Sequence, residues 1–401
     1  MISVAEAIRI VQQQTEPLLA ETVALEEALG RVLAQDVIAD SDLPPFDRAQ
    51  MDGYALLASD TLSAPVRLRV VGEAAAGRGW HKKLKPGEAV RIMTGAPVPD
   101  GADSVQKVEV TRESADKGTV LIAEAARPGQ FIVKRASEVR AGAGVLRAGE
   151  TINAAMLAAL ASFGYARVKV GARPRVAVLA TGTELVPVGE QPGPDQIRDS
   201  NSFSLGAYAE LAGAKVERLP LAGDDPLVLQ REIKAAAERS DALILSGGVS
   251  MGVYDFTKTA LHSLGAEIFF ERISLRPGKP TVFARLGRTL IFGLPGNPVS
   301  VSVTFNLFAR TALRAMQGCT ESALIEEWAV LARNAKGSTE RASYLPASLQ
   351  TDEAGQLLAE PLKWGGSSDF VAFARATALI IVPAGVAELA AGARVRFVRL
   401  P

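Results

Sequence analysis

Residues 241–256 read Asp-Ala-Leu-Ile-Leu-Ser-Gly-Gly-Val-Ser-Met-Gly-Val-Tyr-Asp-Phe. The apolar run 242–245 has the length and continuity of a strand buried on both faces, as in a parallel sheet. Ser246, Gly247 and Gly248 end that run, and a glycine-bearing loop leads to Thr257, where a helical pattern opens. A strand, a Gly-rich loop and a helix start together suit an anionic ligand. Glycine lets the backbone approach closely, and N–H groups at a loop or helix N-terminus attract phosphate. Asp255 stands at the far end of the loop. A carboxylate at the rim of a phosphate site points to a divalent cation, with Mg²⁺ the expected ion.

The flanking sequence alternates strand and helix from Pro174 onward. Residues 176–180 form a strand pattern followed by Thr181-Gly182-Thr183-Glu184. Ser200 or Asn201 can cap a helix that runs to Leu211, with Gly213 just beyond it. Asp224-Asp225-Pro226 starts the next helix, with proline at its first position. Residues 268–275 read as one strand, which Arg276-Pro277-Gly278-Lys279 interrupts. Gly287-Arg288 separates two apolar runs as a hairpin turn does, and Leu294-Pro295-Gly296-Asn297-Pro298 leads into a helix over 299–316. This is an α/β domain with a mostly parallel sheet, and its ligand belongs at the carboxyl ends of the strands.

The rest of the chain is different in kind. Residues 4–13 and 25–29 are helical in period, and 154–163 return to helical spacing. Between them, 66–71, 90–93 and 119–122 read as strands separated by Gly and Pro turns. The expected plan is a helical N-terminal domain, 1–45 with 141–173, carrying an inserted β-rich module, 46–140. The α/β domain is 174–320, and short strands over 321–401 make a small C-terminal barrel. Gly365-Gly366-Ser367-Ser368-Asp369-Phe370 reads as a solvated turn, with an anion-facing loop as the alternative.

Composition narrows the function classes. The chain has 401 residues, too many for one ordinary core. Lys+Arg 44 balances Asp+Glu 44, so there is no electrostatic case for nucleic acid or an anionic membrane. The single cysteine, Cys319, forbids an internal disulfide and favours a cytoplasmic home. His81 and His262 are far apart in sequence, so a metal here should be hard and oxygen-bound. Glu6 and Arg9 break the first apolar run, which therefore reads as an amphipathic helix and not a signal peptide.

Four loop signatures occur in one chain: MDGYA at 51–55, RIMTGAPVPDGAD at 91–103, LSGGVSMGVYDF at 245–256 with RPGKP at 276–280, and GLPGNPVS at 293–300. In this order they resemble the molybdopterin molybdenumtransferase family, of the MoeA and gephyrin E-domain type. The resemblance covers nearly the whole chain and is strongest over 41–108 and 174–316. It implies an elongated homodimer with the active site at the subunit interface. It also implies a Mg²⁺-assisted reaction in which adenylylated molybdopterin and molybdate give molybdenum cofactor and AMP, and a molybdopterin adenylyltransferase that delivers the substrate. By position, the resemblance implies catalytic roles for Asp52, Thr94, Glu184 and Asp255, and metal roles for Asp52, Glu184, Asp224 and Asp255. Ser246, Gly247, Gly248 and Ser250 match the pterin and phosphate loop. Arg276 and Lys279 stand near the molybdate, with Pro295 and Pro298 shaping the adjoining loop.

This chain departs from the family pattern at Glu138, which keeps a charge on a longer arm, at Arg276, where lysine also occurs, and at Gln106, which interrupts an apolar run. Two other classes compete with the transferase. One is a non-catalytic molybdopterin-binding scaffold, against which the retained acidic set argues. The other is a molybdopterin adenylyltransferase, which would lack the MDGYA and MTGAP segments.

Overall fold

Six strands form the central α/β sheet, in the order Lys215–Arg218, Arg175–Ala180, Ala242–Ser246, Thr289–Leu294, Pro280–Leu286 and Glu267–Arg272. The first three pairings are parallel and the last two antiparallel. The computed structural model describes residues 1–223, 225–248 and 256–401. The strand Ala242–Ser246 is buried throughout. Ala242 and Ile244 enter one core, with Phe283, Phe292, Phe305 and Phe308, while Leu243 and Leu245 enter the other, with Leu229, Ile233 and Leu261. Helices cover both faces, which is why the strand is apolar at every position and shows no alternation.

The sheet belongs to a compact unit made of 1–35, 148–157 and 166–401. Helix Val4–Gln13 begins at Ser3, whose Oγ accepts from the Glu6 amide at 3.1 Å, and Val4, Ala7 and Val11 join the first core. The helical reading of 25–29 shrinks to a single 3₁₀ turn, Leu25–Glu27. Flanking that turn, Ala20–Ala24 pairs antiparallel with Arg167–Gly171. The single strand expected over 268–275 is two. Glu267–Arg272 stays in the central sheet, whereas Leu275–Arg276 crosses to pair with Ala342–Ser343. The helix expected over 299–316 is continuous in path but carries a π-helical turn, Phe305–Ala309, between α-helices Pro298–Thr304 and Arg310–Met316.

The C-terminal strands close into a five-stranded barrel. Ala342–Thr351 pairs with Leu357–Pro361 and with Ala378–Val382; Glu326–Leu331 pairs with Leu357–Pro361 and Arg394–Arg399; Arg394–Arg399 returns to Ala378–Val382. Closure removes the sheet edges, and Leu331, Leu345, Ile380, Val382 and Phe397 fill the interior.

The second compact unit comprises 36–147 and 158–165. Its six-stranded sheet runs Ser104–Lys107, Gly53–Leu56, Glu88–Ile92, Val66–Ala74, Thr119–Ile122 and Thr111–Glu113. Period-2 alternation sends Tyr54, Leu56 and Ala89 to one core, and Ala55, Val90 and Ile92 to the other. Within this unit Leu43 and Val139 pair antiparallel and exchange both backbone hydrogen bonds, at 2.7 and 3.0 Å.

Candidate active site

The glycine pair lies where the sheet reading places it, at the carboxyl end of Ala242–Ser246. Ala180, Ser246 and Leu294 stand level on three parallel strands, so the loops that follow them meet. The Thr181 amide donates to Ser246 O at 2.8 Å, and the Gly247 amide donates to Leu294 O at 3.2 Å. Glycine is required at both positions. Gly247 and Gly248 have φ +98° and +63°. A Cβ on Gly247 would collide with the Thr181 carbonyl, and one on Gly248 would stand 2.6 Å from Thr257 Oγ1. Ser246 is buried. In the loop after the first strand, the Glu184 side chain folds back so closely that a Cβ on Gly182 would lie 2.5 Å from its Oε2.

A cavity of about 830 Å³ adjoins this crossing. Pro295, Asn297 and Ser300 form one wall, and Arg276 and Lys279 stand on another. Lys336, Arg341 and Lys363 complete a set of five cationic side chains, and no carboxylate lines the space. Gly278 shapes the Arg276–Lys279 loop. Its φ is +116°, and a Cβ there would run into the Thr304 methyl. Arg276 Nη1 donates to Gly337 O at 2.7 Å. Pro298 occupies the first helical position after Asn297, outside the cavity lining. The loop read as a solvated turn is instead docked. Asn297 Nδ2 donates to Ser367 Oγ at 2.9 Å, and the Val299 amide donates to Ser367 O at 3.0 Å.

A larger hollow of about 1150 Å³ lies at the opposite end of the sheet, beside Arg175, Asp241 and Thr289. Its charges have both signs, and the ligand-binding end of an open α/β sheet is the other one. The smaller, wholly cationic cavity is the better anion seat. Lys336, Arg341 and Lys363 were not picked out from the sequence, since they sit among short barrel strands with no shared motif. Their convergence with Arg276 and Lys279 exists only in three dimensions.

In the second unit, Asp52 and Thr94 meet because Gly53 and Ile92 face each other on antiparallel strands. Asp52 precedes one strand and Thr94 follows the other. Asp52 Oδ1 accepts from the Thr94 amide at 2.7 Å and from Thr94 Oγ1 at 2.8 Å. The Thr94 backbone and hydroxyl hydrogen bonds hold the Asp52 carboxyl below its ordinary range, with a smaller contribution from the Arg91 charge. Gly53 cannot bear a side chain, because a Cβ would fall on the Gln106 carbonyl. Gln106 itself is buried; its Nε2 donates to Glu124 O at 2.8 Å and its Oε1 accepts from Gln130 at 3.0 Å. Glu138 pairs with Arg48 at 3.2 Å.

Asp224, Ser250 and Asp255 lie outside the described residues. Among the described residues, no group of three or more His, Cys, Asp or Glu side chains is arranged to hold a metal. The donors available at Asp52 and Glu184 are carboxylate oxygens, and the Asp52 carboxylate is held in its anionic form. That chemistry fits a hard cation such as Mg²⁺ and not zinc.

Strand-end loops that bring a glycine pair against a carboxylate-free cationic cavity define an α/β protein built to hold anions. Comparison with known proteins narrows the class. Residues 2–164 match the MoeA N-terminal region (domain I and II), 177–315 the probable molybdopterin binding domain, and 329–400 the MoeA C-terminal region (domain IV). The chain is 37% identical over 405 residues to the molybdopterin molybdenumtransferase of Bacillus subtilis, covering 98% of this chain and 93% of that one. It is 36% identical over 411 residues to molybdopterin molybdenumtransferase 2 of Mycobacterium tuberculosis, covering 99% of each. The solved molybdopterin biosynthesis MoeA protein from Pyrococcus horikoshii OT3 superposes with a TM-score of 0.85 at 27% identity, covering 100% of both chains. The chain belongs to the molybdopterin molybdenumtransferase family. No helix among the described residues is long and apolar enough to cross a membrane.

Proposed function

We propose that this chain inserts molybdenum into molybdopterin, taking adenylylated molybdopterin and molybdate and releasing AMP. One observation carries the reading. A cavity lined by five cations and no carboxylate shares the 295–297 loop with the glycine pair. Molybdate is a tetrahedral oxyanion, for which Arg, Lys and hydroxyl groups are the expected partners. The glycine loop suits the phosphate of the pterin substrate. Insertion needs soft sulfur ligands, and those belong to the substrate. The single Cys319, half-buried and set against Arg314, is consistent with that division. A bound Mg²⁺ would supply the positive charge that opening of a phosphoanhydride calls for. Asp52, Glu184, Asp224 and Asp255 are the residues to hold it. Asp52 stays anionic, and Thr94 holds it in place.

The reading includes a cytoplasmic homodimer whose active site takes residues from both subunits, and substrate delivery by an adenylyltransferase. Purified protein incubated with adenylylated molybdopterin, molybdate and Mg²⁺ should release AMP and yield cofactor that activates a molybdenum-dependent apoenzyme. EDTA should stop AMP release, and added Mg²⁺ should restore it. Full AMP release in chelated buffer would refute the metal role.

A further inference from the structure

Asn201 belongs to none of the recognised loop signatures. It opens the helix Asn201–Leu211, and the sequence suggests no more than a cap. Its side chain caps nothing there. The capping bonds come from Asp199, whose carboxylate accepts from the Ser202 amide at 3.0 Å and from the Ser202 hydroxyl. The Asn201 amide points the other way, into the meeting of the strand-end loops. Nδ2 donates to Ser246 Oγ at 2.9 Å and to Gly296 O at 2.7 Å. Gly296 O can only accept, so the nitrogen must face it and the amide cannot be flipped. Oδ1 is buried, with no partner among the described residues. A half-buried side chain whose nitrogen serves two loops while its buried oxygen goes unsatisfied is poorly explained as a stabilising contact.

The two loops it joins touch glycine to glycine. A Cβ on Gly296 would lie 3.8 Å from Gly247 Cα. Beside them, Thr181 is 4% exposed, and its hydroxyl also has no partner among the described residues. That hydroxyl lies 3.1 and 3.2 Å from where Cβ atoms on Gly247 and Gly248 would be. Beyond the parallel ladder, which ends at Ser246 and Leu294, the Gly247 amide donates across the crossing to Leu294 O at 3.2 Å. One side of the crossing carries the glycine pair, and the other carries the Pro295–Asn297 wall of the cationic cavity.

We infer that Asn201 is a positioning residue that bolts the glycine loop to the cavity wall and so sets the distance between the pterin phosphate seat and the oxyanion seat. It touches neither reactant and acts through Ser246 and Gly296. The naming of the two seats and the kinetic readout rest on the proposed transfer reaction; the clamp between the two loops does not.

Asn201→Asp keeps the shape, removes both donors and sets a carboxylate against Gly296 O. In that variant, hydrogen exchange at the Gly247 and Val299 amides should quicken at least tenfold, while the Leu243 amide inside the strand stays protected. In the transfer assay, kcat should fall at least tenfold with the molybdate KM changed less than threefold, because the cavity's cations stand on other segments. Ser246→Ala removes one anchor, so it should quicken Gly247 and leave Val299 unchanged. Asn201→Ala serves as the second variant if the carboxylate unfolds the segment. Unaltered exchange at either amide in a folded Asn201 variant overturns the inference. Loss of kcat in proportion to lost folded protein, recovered on cooling, overturns it as well. A wild-type chain that transfers no molybdenum would sink the functional reading, and the exchange result would still decide the clamp.

Discussion

Asp52 accepts two hydrogen bonds from one residue, and this sets its protonation as well as its place. Its folded pKa is depressed, so its charge is present above the ordinary carboxylate value, about 3.9, and is lost only as pH falls through a lower one. No acid limb of activity above about pH 4 should therefore belong to Asp52. Thr94→Val removes the hydroxyl bond and keeps the amide bond. The carboxylate should remain ionised but less well held, so turnover should fall on the order of tenfold, about 1.4 kcal/mol of barrier. The pH profile between 5.5 and 8 should keep its shape. A new acid limb inside that range would show that Thr94 tunes charge and not position. Asp52 and Thr94 were both readable from loop motifs, but their bond was not, since 42 residues separate them. Gln106 was unexplained as an interruption of an apolar run, because its amide partners, Glu124 and Gln130, lie on a later segment.

Elements were readable where one local rule dominates. Val4–Gln13 and Thr119–Ile122 begin and end where periodicity and caps place them, whereas Asn201–Leu211 keeps its expected span but takes its capping bonds from Asp199, not from Ser200 or Asn201. The strand over 268–275 was misread because its two halves have the same apolar composition and different partners. The π turn at Phe305–Ala309 leaves no trace in spacing. Its side chains are all buried, and Asn306 satisfies Ser302 O within the helix at 2.9 Å. Glycine positions give a sharper test. Gly53→Ala would place a methyl on the backbone of the neighbouring strand, which cannot yield as a flexible side chain can. The expected cost exceeds about 2 kcal/mol, with a clear fall in the thermal midpoint. Gly144→Ala meets nothing within 4 Å and should be near neutral. Equal midpoints for the two variants, followed by circular dichroism, would contradict the packing described for the Gly53–Leu56 strand.

At the scale of the molecule, the cavity is the part that sequence could not supply. Arg276 and Lys279 stood out from RPGK, but Lys336 comes from the Ala335–Ser338 strand, and Arg341 and Lys363 from beside two barrel strands, far along the chain. Symmetry offers a separate test of the proposed homodimer. If each site takes Asp52 from one subunit and Asp255 from the other, a dimer of Asp52→Ala and Asp255→Ala subunits has one intact site. Random mixing makes about half the dimers mixed, so roughly one quarter of wild-type AMP release should return. If each site belongs to one chain, none returns.

The measurement that bears most directly on the proposed chemistry is molybdenum transfer as a function of molybdate concentration, in the wild type and in Lys279→Ala and Lys336→Ala. Each substitution removes a charge-assisted contact worth about 1.5–3 kcal/mol, so the molybdate KM should rise by roughly 10- to 100-fold. AMP release from adenylylated molybdopterin without molybdate should change little. Wild-type protein that transfers no molybdenum, or variants with wild-type rates at limiting molybdate, would contradict the account.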